Sequence, residues 1–135
     1  MKRYVTEDYS NEVIALIRGA ATRSTCVLAR VEVPAAIAGA ARAGNVSRAE
    51  GIQAGDLFAR HWLRYGRIGV GEELLRTAAA VAWRRDLRGY DATHLAALLL
   101  RAQLRDPLQF ATFDDDLWRA ARAEGLDVWP PNYRD

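Results

Sequence analysis

Short apolar segments rich in β-branched residues alternate along this chain with longer segments whose apolar residues recur every three to four positions. The short segments predict strands at residues 25–28, 67–70, 109–112 and 127–129. The longer segments predict helices at residues 10–21, 30–43, 47–65, 72–85, 90–105 and 117–124. Strands that alternate with helices favour an α/β fold in which a mainly parallel sheet carries helices on both faces.

Several helix ends are marked by residues that stabilise helix termini. Ser10 and Ser47 stand where N-caps are expected, and Glu50 completes a capping box with Ser47. Gly44 and Gly125 follow helical segments and are expected to end them. These signals set the boundaries of the predicted helices independently of the apolar pattern.

Pro34 fixes the start of the second predicted helix. Because proline is tolerated only in the first turn of a helix, we expect this helix to begin near Arg30. Glu32 then lies at the junction between a strand and a helix.

The length and composition describe an ordinary folded domain. A chain of 135 residues, half of them hydrophobic, predicts one domain that spans residues 1–135. The apolar run at residues 95–100 is far shorter than the ~20 residues that a membrane span needs, so no membrane association is expected. Cys26 is a single cysteine among apolar residues, and a buried thiol favours a reducing, cytoplasmic location.

The net charge of the chain does not identify the class of partner that it binds. The net charge is only +2, and every basic residue except Lys2 is an arginine. The planar guanidinium group suits phosphate recognition, but the codon usage of a GC-rich genome produces the same bias. Charge alone therefore does not indicate a nucleic-acid-binding protein.

Three acidic residues are expected where ligands bind in parallel sheets, outside the carboxyl ends of the strands. Asp114 follows the third predicted strand, Glu32 follows the first, and Asp91 opens a helix. Each of them alone is explained by capping or by the helix dipole. Together they would repel one another unless a cation neutralised them, and oxygen ligands favour Mg²⁺ or Mn²⁺. Two histidines and one cysteine make a zinc site improbable.

The remaining polar candidates are weaker. His94 lies three residues after Asp91, where it could orient that carboxylate or simply pack in the core. His61 is expected at the surface or in packing. The chain contains neither a glycine-rich phosphate loop nor a nucleophile elbow, and the tryptophans are expected in the core or an interface.

Two sequence blocks resemble the PIN-domain family. Residues 87–96 resemble the Y-D-A-x-H-L-A helix start of these proteins, and residues 110–126 resemble their f-x-T-f-D-x-x-L-x-x-A-A-x-x-x-G-L strand and helix. Residues 24–32 are similar to their S-x-l-x-x-x-E segment. The blocks follow in family order over essentially the whole chain, and the most similar subset is the VapC-like toxins of type II toxin–antitoxin pairs.

The resemblance implies a three-layer α/β/α fold and a toxin-type endoribonuclease that hydrolyses RNA phosphodiester bonds. Glu32, Asp91 and Asp114 would then be the catalytic residues that hold Mg²⁺ or Mn²⁺. The ion would lower the pKa of a bound water and stabilise charge on the scissile phosphate. The family further implies a homodimer and a cognate antitoxin that occupies the active site.

The chain departs from the family pattern at its start. Family members open with a hydrophobic strand that ends in D-T/S-x-x-L-V and whose Asp is the central metal ligand. This sequence begins at Met1, inside the segment that follows, so the usual first, central strand is expected to be absent, and Asp8 does not replace its Asp. Neighbouring strands would then lose ladder partners, and both metal affinity and activity would fall. A misplaced start codon and a truncated gene both explain this departure.

Two alternatives to an active nuclease stay open. A non-catalytic PIN-like module would bind an antitoxin or RNA without cleaving it. An unrelated scaffold would use Glu32, Asp91 and Asp114 only as helix caps, with their carboxylates too far apart to share one ion.

Overall fold

A computed structural model describes residues 2–4, 6, 8–104 and 106–133. The chain divides into two compact units, Met1–Arg67 and Ile68–Asp135. The predicted single domain is neither supported nor opposed by this division and stays a prediction. In chain order the elements are α1 Ser10–Gly19, β1 Ser24–Cys26, α2 Ala29–Arg42, α3 Arg48–Trp62, β2 Gly66–Ile68, α4 Glu72–Arg85, α5 Gly89–Ala102, β3 Gln109–Ala111, α6 Asp115–Ala123 and β4 Asp127–Trp129.

The strands form two pairs. Strand β1 pairs with β2, and β3 pairs with β4, so the described residues contain two two-stranded sheets. The β3–β4 pair is parallel, with Phe110 opposite Val128 in the register. Helices and short strands thus alternate as the sequence predicts, which confirms a mixed α/β class. The finer expectation of three layers around one sheet stays a prediction.

The first unit is built on helices α2 and α3, which pack against each other. Ile37 of α2 and Phe58 of α3 are buried in this unit. Cys26, at the end of β1, is a buried free thiol, as the sequence predicts. A strand pair of this size is marginal alone, so the helices supply most of the apolar burial that stabilises it.

The second unit is centred on α5, which packs against both α4 and α6. One side of α5 is almost continuously buried, and its Leu95 is fully buried together with Val81 of α4. Thr93 is buried on the same helix and satisfies its hydroxyl by donating to the carbonyl of Gly89 at 2.7 Å. The packing of α5 against α4 and α6 therefore holds its first turn, which carries Asp91, in place.

The capping signals in the sequence are mostly confirmed. The Glu50 backbone N–H donates to Ser47 Oγ at 3.2 Å, and the Ser47 backbone N–H donates to Glu50 Oε2 at 2.7 Å, which completes the predicted capping box. Gly44 and Gly125 have φ angles of 76° and 78°, in the left-handed region that glycine adopts without strain at helix ends.

Of two predicted helix starts, one is wrong and one is confirmed. Ser10 is the first residue of α1, not its N-cap, because Tyr9 precedes it with a left-handed backbone and no capping hydrogen bond from its side chain. Helix α2 begins at Ala29, near Arg30 as predicted, but Pro34 is its sixth residue and lies beyond the first turn, where the sequence analysis did not expect it. Proline there removes one backbone hydrogen bond, a cost that the surrounding packing must offset.

Candidate metal site

Asp114 is the N-cap of α6 and lies three residues after the end of β3. Its Oδ1 accepts the backbone N–H of Leu117 at 2.9 Å, while its own N–H donates to Thr112 Oγ1 at 3.2 Å. The capping role that the sequence suggests for Asp114 is therefore real. A carboxylate has about four lone-pair sites, so one such hydrogen bond leaves other sites on the oxygens available. The exposed side chain of Asp114 can cap α6 and still bind a cation through its second oxygen.

Aromatic residues from the C-terminal segment hold the loop that carries Asp114. The Phe113 ring packs edge-on against Trp129 and Tyr133, at 5.6 Å between centroids in each case. Tyr133 Oη also donates to the carbonyl of Phe113 at 2.9 Å. Trp118 adds a buried hydrogen bond from Nε1 to the carbonyl of Pro130 at 2.8 Å. These contacts restrict the backbone that positions Asp114 at the carboxyl end of β3.

These positioning residues were not identified from the sequence. Tyr133 lies beyond the last strand, where no periodic pattern distinguishes a packed aromatic from an exposed one. Phe113 was visible as part of the block around Asp114, but its contacts with Trp129 and Tyr133 depend on tertiary structure.

Asp91 lies in the first turn of α5, three residues after the N-cap Arg88. It is half-buried, and an acid at this position is stabilised by the positive end of the helix dipole. His94 follows three residues later on the same helix and is also half-buried. Asp91 therefore lies in the first turn of α5, as the sequence predicts. Packing of the buried side of this helix, which includes Leu95 and Leu98, holds that turn in place.

Glu32 lies in the first turn of α2, at the predicted junction between a strand and a helix. Burial raises the pKa of the Cys26 thiol, the backbone at Leu28 lowers it, and the charge of Glu32 raises it again. Glu32 is half-buried and follows the end of β1 by six residues, in the region where ligands of α/β sheets bind.

The three acids divide between the two units. Glu32 belongs to the first unit, and Asp91 and Asp114 belong to the second. Within the described part of either unit, no three His, Cys, Asp or Glu side chains form a group that could hold a metal ion. The hard oxygen donors of the trio suit Mg²⁺ or Mn²⁺, but their gathering around one ion stays a prediction.

A surface groove of about 510 Å³ lies beside the first turn of α6. Arg84 and Arg85 both donate from Nε to Glu124 Oε1, at 3.0 and 2.7 Å, and Arg119 binds Asp116 Oδ1 at 2.6 Å. The hydrogen bond from Arg84 is the largest cause that holds the pKa of Glu124 below its usual range. The groove is lined by Trp83, Arg84, Arg85, Asp86, Asp116, Arg119, Ala120 and Ala123.

The arginines of this groove are balanced by acids. Each arginine in its lining already binds a carboxylate, and Asp86 adds a further negative charge. The groove is therefore not a strongly basic surface of the kind that attracts nucleic acid at long range.

His61 packs against neighbouring residues in the first unit, which agrees with one of the two roles suggested for it. Its Nε2 lies 3.2 Å from a guanidinium nitrogen of Arg3, and its ring contacts Tyr4. Burial lowers the pKa of His61, and the charge of Arg3 lowers it further. The imidazole of His61 between these side chains has a packing role.

Among the described residues, no helix has the length and apolar character that crossing a membrane requires. Comparison of the sequence with protein-family models and with curated proteins gives no match in either case.

Proposed function

We propose that this chain is a cytoplasmic Mg²⁺- or Mn²⁺-dependent endoribonuclease of the toxin type, with a PIN-like fold. The observation that carries the proposal is the placement of acids after strands. Asp114 follows the end of β3 by three residues, and Glu32 follows the end of β1 by six. Asp114 is the N-cap of α6 and Glu32 lies in the first turn of α2, in the region where ligands of α/β folds bind.

The proposed roles follow from the chemistry of the side chains. Glu32, Asp91 and Asp114 would bind the ion through carboxylate oxygens, and Asp114 would do so while still capping α6. A bound divalent ion supplies a water of lowered pKa and a positive charge beside the scissile phosphate. The aromatic contacts of Phe113 would keep the Asp114 loop in place as phosphate charge develops.

The partners of such an enzyme are part of the same proposal. RNA would be the substrate, and a small antitoxin protein would bind the chain and inhibit it. A homodimer is the expected assembly. The alternative is a PIN-like module that binds an antitoxin or RNA without cleavage, and the capping bond of Asp114 is the observation that favours it, because that bond explains this acid without a metal.

The experiment is an RNA-cleavage assay on the chain with and without Mg²⁺ or Mn²⁺. A second form carries an added N-terminal hydrophobic strand that ends in Asp-Thr, since the family resemblance implies a fourth acid there. We expect cleavage that depends on the divalent ion and stops with a chelator, and that is at least about tenfold faster in the extended form, because an added carboxylate ligand strengthens the metal site.

The two candidate functions predict different outcomes. RNA binding without cleavage in both forms, at any concentration of Mg²⁺ or Mn²⁺, would overturn the nuclease and support the binding module. Cleavage that persists in excess chelator would overturn the metal-dependent mechanism. Denaturing gels that resolve internal products from single-nucleotide products separate endonuclease activity from a contaminating exonuclease.

A further inference from the structure

Positive charge is concentrated in the first of the two units. Met1–Arg67 contains ten Lys or Arg residues and six Asp or Glu residues, whereas Ile68–Asp135 contains nine and eleven. The net charges of the units are therefore +4 and −2, which together give the +2 of the whole chain. The balanced groove beside α6 belongs to the acidic unit. A surface that attracts anions is therefore expected in the first unit.

Arginines gather at the C-terminal end of α3. Arg60 lies in the last turn of this helix, and Arg64 follows its end by two residues. Arg3 reaches the same place from the N-terminal segment. Its Nη2 lies 3.2 Å from His61 Nε2, and its Nη1 donates to Tyr65 Oη at 3.4 Å. Three arginines that are distant in sequence are thus brought to one imidazole.

Arg23 joins this group through the pairing of β1 with β2. Its carbonyl accepts the backbone N–H of Gly66 at 2.8 Å. Its side chain donates to the backbone carbonyls of Ile17 at 2.9 Å and Ala20 at 3.4 Å, which leave its charge in place. Burial is the largest cause that lowers the pKa of His61, and the charges of all four arginines lower that pKa further.

The positive charge of this group is not neutralised by the acids that the structure describes. Within residues 2–4, 6, 8–104 and 106–133, no carboxylate forms an ion pair with any of the four arginines. Burial and the hydrogen bond with Tyr65 raise the pKa of Tyr4, so this phenol adds no negative charge. Like charges that share one site repel, and a bound anion would relieve that repulsion.

Aromatic packing holds the N-terminal segment that carries Arg3 against α3. The ring of Tyr4 packs edge-on against the buried Phe58, at 5.4 Å between centroids, and its Oη lies 3.2 Å from Tyr65 Oη. A guanidinium has five N–H donors in a planar fork, so the two contacts of Arg3 leave donors for the oxygens of a ligand.

We propose that the α3-end cluster, defined as Arg3, Arg23, Arg60, His61 and Arg64, binds a phosphate group. The exposed side chains of Arg60 and Arg64 leave the cluster open to solvent, and Arg3 supplies a fork that matches phosphate oxygens. A free phosphate ion and a phosphate of RNA offer the same oxygens. The cluster contains none of the acids proposed to bind the metal ion, so binding here does not depend on whether the chain cleaves RNA.

Nuclear magnetic resonance of the two histidine rings tests this proposal on the whole chain without a divalent ion. His94, on α5, is the internal reference outside the cluster. We expect inorganic phosphate, compared with chloride at equal ionic strength, to shift the ring signals of His61 saturably and to leave those of His94 unchanged. Phosphate should also raise the pKa of His61 by at least about 0.5, because a bound anion favours the imidazolium.

Two arginine variants test which positive charges matter. Arg64→Gln should raise the dissociation constant of phosphate at least about threefold, because it removes one exposed charge of the cluster. Arg48→Gln is the matched control, because Arg48 is exposed on the same helix about 20 Å from its last turn. Equal weakening by both variants overturns the proposal. So do equal shifts of His61 and His94, or equal responses to phosphate and chloride.

Two short RNAs of one sequence, with and without a terminal phosphate, identify the source of the phosphate group. Tighter binding of the phosphorylated RNA, with a response of His61, assigns a terminal phosphate to the cluster. Equal binding of both RNAs, with the same response, assigns the phosphodiesters, and a response to inorganic phosphate alone assigns a free anion. RNA binding that Arg64→Gln leaves intact, without any response of His61 to phosphate or RNA, overturns the proposal.

Discussion

Replacing Asp114 with asparagine is expected to reduce Mg²⁺-dependent RNA cleavage by at least about 100-fold, since a metal ligand supplies several kcal/mol of charge stabilisation. The free energy of unfolding should change by less than about 0.5 kcal/mol. Asparagine is as good an N-cap as aspartate, so the bond from the Leu117 N–H to the side chain is retained while the negative charge is lost. Cleavage rates and urea unfolding of the same preparation measure both quantities.

Comparing Asp114→Ala with Asp114→Asn separates the contribution of the capping hydrogen bond from that of the negative charge. Asp114→Ala removes both and should also cost about 1 kcal/mol of stability. Asp116→Asn is the matched control, because Asp116 is exposed in the same helical turn and pairs with the exposed Arg119. It should cleave RNA at the unmodified rate. Full activity of Asp114→Asn would reduce Asp114 to a helix cap and contradict the metal site.

Replacing Leu95 with alanine is expected to lower the free energy of unfolding by about 2–5 kcal/mol. Leu95 is 0% exposed on the central helix of the second unit, so its removal loses apolar burial and leaves a cavity. That loss is a large part of the total stability of a domain this size, about 5–15 kcal/mol. Urea unfolding followed by circular dichroism measures the change.

Leu100→Ala on the same helix is the control for this prediction. It removes the same side chain at a position that is 43% exposed, and both variants change helix propensity equally. We expect it to cost well under half as much as Leu95→Ala. Equal costs for the two variants would show that α5 does not bury Leu95 as described.

Local signals in the sequence predict much of the secondary structure. The bounds of α4 and β4 match the predicted residues 72–85 and 127–129, because each segment has a clear apolar pattern and a clear end. The Ser47 capping box and the Gly44 and Gly125 helix ends are equally local. The start of α1 was displaced by one residue because it depends on the left-handed backbone of Tyr9, which no side-chain pattern indicates.

Features that depend on tertiary structure were not predictable in this way. The packing of Phe113 against Trp129 and Tyr133 joins residues that are distant in sequence, and only the folded chain brings them together. Trp83 was expected in the core or an interface, and its exposure depends on how α4 is rotated against α5. The positions of Glu32, Asp91 and Asp114 in first turns or at an N-cap were predictable, because they follow local helix-start signals.

The most direct test of the central claim is whether one bound ion depends on both Glu32 and Asp91. Electron paramagnetic resonance can measure Mn²⁺ binding to the whole chain, to Glu32→Gln and Asp91→Asn, and to Asp116→Asn as control. The account predicts one bound ion per chain and at least about tenfold weaker binding in Glu32→Gln and in Asp91→Asn, with no change in the control. Equal Mn²⁺ binding by all four proteins would contradict it.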